Sequence, residues 1–66
     1  MKKEERQFLF GKCMRSGLSY EKSCERVNKL DRTLKDLVNK LRSEKMSERD
    51  INDEFRKEFS KMVNRI

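Results

Sequence analysis

The chain is predicted to be all-α, with three to four helices, and three observations lead there. Glu, Lys, Arg and Leu make up about half of the 66 residues, proline is absent, and glycine occurs only at Gly11 and Gly17, a composition that favours long helices. From Tyr20 onward the apolar positions are 20, 24, 27, 30, 34, 37, 38 and 41. These spacings of three and four put them on one helical face. Helix-start serines and a helix-stop glycine divide the chain at Gly17, Ser19 and Ser47.

The first helix spans about 3–15, with Phe8, Leu9, Phe10, Cys13 and Met14 as its apolar cluster. It stops before Ser16 and Gly17, because glycine suits the left-handed conformation that commonly closes a helix. Ser19 then stands as an N-cap, and Glu21 complements the helix dipole in the first turn.

Two structures satisfy the pattern that follows. In one, the chain turns near Asn28 to Leu30 and Asp31 caps a new helix, giving helices at about 19–28 and 31–43. Asparagine visits the left-handed region more readily than most residues, and aspartate is a strong N-cap. In the other, one helix runs through about 19–44 and folds into a helical hairpin. The last helix, about 47–65, opens on Ser47 with Asp50 at the third position and Met46 and Ile51 as a hydrophobic staple. It carries Ile51, Phe55, Phe59, Met62 and Ile66 on one face.

One small domain of this size buries only about 60% of its unfolded surface. A third of the residues are apolar and 45% charged, so a core has little margin. The net charge is +6, with +3 in residues 1–16, +3 in 17–45, and a balance of five basic and five acidic side chains in 46–66. Such a surplus suits nucleic acid or an acidic protein surface. No apolar run approaches the roughly 20 residues of a membrane span, and Lys2 and Lys3 are followed by Glu4 and Glu5 rather than a signal-peptide core. A cytoplasmic protein with Cys13 and Cys24 as free thiols is expected. With no histidine and two cysteines, a tetrahedral zinc site would need two carboxylates, so neither a metal nor another cofactor is expected. No nucleophile stands beside a base and no glycine-rich phosphate loop is present, so no catalysis is expected either.

The stretch GLSYEKSCERVN followed by RTL, residues 17–28 and 32–34, resembles the helix-turn-helix of sigma-factor region four and of resolvase-like or response-regulator output domains. In that family a small residue sits where two helices cross, a glycine makes the turn, and a Thr-Val or similar pair opens the recognition helix. Cys24, Asn28 and Thr33-Leu34 occupy those positions here. The chain departs from the pattern in placing Lys29 before Leu30, and in having Ser23 where a large apolar residue is usual. The match covers about residues 8–41.

The resemblance implies a transcription regulator that binds double-stranded DNA with its second motif helix in the major groove. With Leu30, Leu34, Leu37, Val38 and Leu41 turned inward, the opposite face displays Arg32, Lys35, Asp36 and Asn39, with Lys29 and Lys40 alongside. Arginine matches guanine, asparagine matches adenine, and lysines match phosphates. Thr33 opens the helix, Tyr20 is placed to bond a phosphate, and Lys2, Lys3 and Arg6 form a basic arm. The apolar stripe of the 47–66 helix offers a homodimer surface for paired half-sites. The alternative is a small helical protein–protein interaction module, such as a phage or plasmid accessory protein acting on a host protein. The two alternatives part at residues 28–31, which turn in the first and continue in the second.

Overall fold

Three helices account for most of the chain: α1 (Lys3–Arg15), α2 (Tyr20–Ser43) and α3 (Glu48–Arg65). All 66 residues are described in this computed structural model. α1 opens with the Glu5 carboxylate accepting the Lys2 N–H at 2.8 Å. It closes in a Schellman turn, in which Leu18 N–H donates to Cys13 C=O at 3.2 Å and Gly17 N–H to Met14 C=O at 3.1 Å. Gly17 takes φ 101° there. Leu18 packs against the buried cluster of Leu9, Cys13 and Val27, which supplies the apolar contact that accompanies such a turn.

α2 starts where Ser19 accepts the Lys22 N–H at 3.2 Å and continues for 24 residues. The break expected near Asn28 to Leu30 does not form, and Asp31 caps nothing. Instead Asn28 and Asp31, three apart on one flank of the helix, turn outward to α1, where both accept from Arg6. Val27, Leu30 and Leu34 keep the apolar stripe in phase through the same turn, and no proline or glycine interrupts it. Cys24, expected at a tight helix crossing, is only half-buried, and its neighbour Ser23 is the fully enclosed small residue.

A second Schellman turn ends α2, with Met46 N–H donating to Leu41 C=O at 3.3 Å and Lys45 N–H to Arg42 C=O at 3.0 Å. Lys45 holds the left-handed position at φ 60°. α3 then opens on Ser47, whose hydroxyl accepts the Asp50 N–H at 3.2 Å.

α1 and α3 both pack on α2, and both run antiparallel to it. Arg6 near the start of α1 meets Asn28 and Asp31, while Arg42 meets Glu48 at one end of the hairpin and Met62 and Arg65 lie beside Arg26 and Leu30 at the other. α2 is about 36 Å long at 1.5 Å per residue, and it sets the 39 Å long axis of the molecule. α1, at 13 residues, covers only the first half of α2.

Eight residues are buried: Leu9, Cys13, Ser23, Val27, Leu34, Leu41, Ile51 and Met62. Ile51 and Met62 belong to the α3 stripe expected to make a dimer, and that stripe is used within the chain. Phe55 and Phe59 remain half-buried at its edge, with Phe59 6.4 Å from Phe8 of α1 between ring centroids. No helix is long and apolar enough to cross a membrane.

Candidate nucleic-acid interface

The unbroken course of α2 decides which of its polar residues share a face. At 100° per residue, Lys22, Arg26, Lys29, Arg32 and Lys40 fall within an arc of about 120° and all are exposed, with Arg26 and Lys29 on the side that borders Glu58, Met62 and Arg65 of α3. From Lys22 to Lys40 this face runs about 27 Å. Glu25 and Asp36 are its only acidic members.

None of the five cations has a carboxylate within 4.0 Å; the ion pairs of the molecule lie elsewhere, at Met1–Asp31, Arg6–Asp31, Arg42–Glu48, Lys57–Glu54 and Lys61–Glu58. α3 holds two of these pairs along its own helix, Lys57–Glu54 and Lys61–Glu58. The surplus of α2 faces solvent unneutralised.

Of the residues singled out from sequence, Lys29, Arg32 and Lys40 are brought together on this face. Thr33 lies at its edge with its hydroxyl donating back to Lys29 C=O at 3.0 Å, which leaves only the oxygen lone pairs for another partner. Lys35 and Asn39 line a hollow with Val38 and Arg42; Asn39 is about 20° from Arg32 around the helix, where this hollow meets the basic face. Tyr20, 67% exposed, sits at the first turn and packs edge-on to Phe10 at 5.3 Å. It does not belong to the basic face. Arg6, expected in a basic arm with Lys2 and Lys3, is held against α2 by Asn28 and Asp31.

Lys22 and Arg26 were not singled out. Their signal was legible as the same three-and-four phase that contains Lys29, but a turn at Asn28 would have assigned them to a different helix.

Asp31 is the one ionisable group whose environment shifts it clearly. Burial pushes its carboxyl up, but the hydrogen bond and charge of the N-terminal amine, with Lys35 and Arg6 adding to them, outweigh this and leave the pKa below the usual aspartate value. The amine lies 3.2 Å from Oδ1. Asp31 thus stays ionised and draws its cations inward, away from the outer face.

Comparison of the chain with protein-family models, curated protein sequences and solved structures finds no match.

Proposed function

We propose that this is a small DNA-binding regulatory protein that lays the solvent face of α2 along the phosphate backbone of a duplex. The observation that carries this is the alignment of Lys22, Arg26, Lys29, Arg32 and Lys40 on one exposed face with no carboxylate paired to any of them. Cations that are not already neutralised release condensed counterions when they meet phosphates, and that release supplies most sequence-independent affinity. Base reading plays the smaller part, because no second helix is held out by a turn. One chain suffices for such a contact.

The test is fluorescence anisotropy with a mixed-sequence duplex between about 50 and 200 mM salt. With four to five phosphate contacts, the logarithm of affinity should fall against that of salt with a slope of about −4. Replacing Lys29 and Arg32 together by Ala should flatten the slope by about 2, and a scrambled duplex should bind equally well. No retention at about 50 mM, or a slope indifferent to the double replacement, refutes the proposal.

A further inference from the structure

α1 ends its cover of α2 at the level of Asp31, and the α2–α3 hairpin continues beyond it for about 18 Å with no third helix alongside. The start of α1 is fixed by the Glu5 cap on Lys2. What lies past it is an open trough of about 610 Å³, continuous through Met1, Val38, Arg42 and Phe55 with a smaller hollow of about 230 Å³. Its floor is apolar: Leu34, Val38, Ile51 and Phe55 from the hairpin and Met1 from the end of α1.

The rim is basic. Lys2, Lys35, Arg42 and Arg56 line it against only two carboxylates, Glu5 and Glu48. Both carboxylates are engaged, Glu5 with the Lys2 N–H at 2.8 Å and Glu48 with Arg42 at 3.8 Å, whereas Lys2, Lys35 and Arg56 pair with no carboxylate.

We infer that this trough seats a short acidic amphipathic helix of another protein, laid end to end with α1 so that it completes a three-helix bundle over the far half of α2. The length available takes about 12 residues, or three turns. The floor takes apolar side chains at helical spacing, and the rim takes glutamate or aspartate on either side. A second copy of this chain is the wrong occupant, because a trough-to-trough contact would set Lys35, Arg42 and Arg56 against their own equivalents, and like charges brought together suppress association. The trough opens on the flank of α2 that carries Lys35 and Asn39, not on the outer basic face. The inference therefore stands independently of DNA binding.

The experiment uses the full chain, isotopically labelled for amide detection, titrated with two synthetic helical peptides that share one leucine stripe. One is flanked by glutamates and the other by lysines. The acidic peptide is expected to bind about tenfold tighter or more and to shift the amides of Val38, Ile51 and Phe55. Arg56→Glu should abolish that preference, and Lys57→Glu, at a residue that does not line the trough, should keep it; Arg56 is exposed and unpaired, and a melting curve checks that the variant folds. Equal binding of both peptides, shifts confined to Phe10 and Tyr20, or a peptide-free dimer that already perturbs Val38 and Phe55 would overturn the inference.

Discussion

Arg6 donates from Nη1 to Asp31 Oδ2, and from Nη2 to Asn28 Oδ1 at 2.6 Å, so one guanidinium holds two side chains a helical turn apart on α2. The same two residues look like turn signals in the sequence. Their side chains are spent on tertiary contact, and the backbone between them stays helical. We predict that a double-mutant cycle between Arg6→Ala and Asp31→Ala gives a coupling energy of about 1 kcal/mol, reduced from a fully buried charged hydrogen bond because Arg6 is part-exposed. Chemical denaturation of the four proteins measures it. Additive effects would mean that the Arg6–Asp31 contact contributes nothing to stability.

The Asp31 carboxyl also gives stability a defined pH dependence. Its native pKa lies below the ordinary value, so its contribution is fully present above the unfolded pKa of about 3.9 and is lost as pH falls through the lower native value. Asp31→Asn should be less stable than the parent at neutral pH, and the gap should close in acid. An unchanging gap down to about pH 2 would count against the ion pair as its source.

Lys45 closes α2 in the left-handed conformation at φ 60°, where a side chain costs about 1 kcal/mol and glycine costs little. Lys45→Gly should raise stability by up to about that amount, visible as a higher melting temperature, whereas Lys45→Val should lower it. A destabilised glycine variant would contradict the Schellman closure.

Ser23 is wholly enclosed and its hydroxyl has no partner. An unsatisfied buried hydroxyl costs about 1 kcal/mol or more, so Ser23→Ala should stabilise the protein by about that amount, while Ser23→Leu should destabilise it by overpacking. If the alanine variant is the weaker one, the hydroxyl has a bond that the fold described above lacks.

Much of this architecture was legible because local chemistry fixed it. Ser19 and Ser47 cap as their positions suggest, Gly17 takes the left-handed turn, and Ile51 and Met62 face inward as their spacing requires. What was not legible depended on partners distant in the chain. Asn28 and Asp31 are ambiguous until Arg6 is placed 22 and 25 residues before them. The end of α2 had no glycine to announce it, only the apolar pair Leu41 and Met46 that flanks Lys45. The basic face was half visible, since Lys29, Arg32 and Lys40 emerge from either course of the chain. Lys22 and Arg26 join them only when the helix is unbroken, and the trough beyond α1 exists only because α2 outlasts its neighbour.

The alignment of the basic face and the trough both follow from α2 being one helix, so the most direct measurement is the backbone state of Val27 to Thr33 in solution. Carbon chemical shifts of that segment should be helical at every residue, with slow amide exchange at Leu30 and Asp31 comparable to that at Leu34. A return to coil shifts at Asn28 or Lys29, with fast exchange at Leu30 and Asp31, would contradict the account.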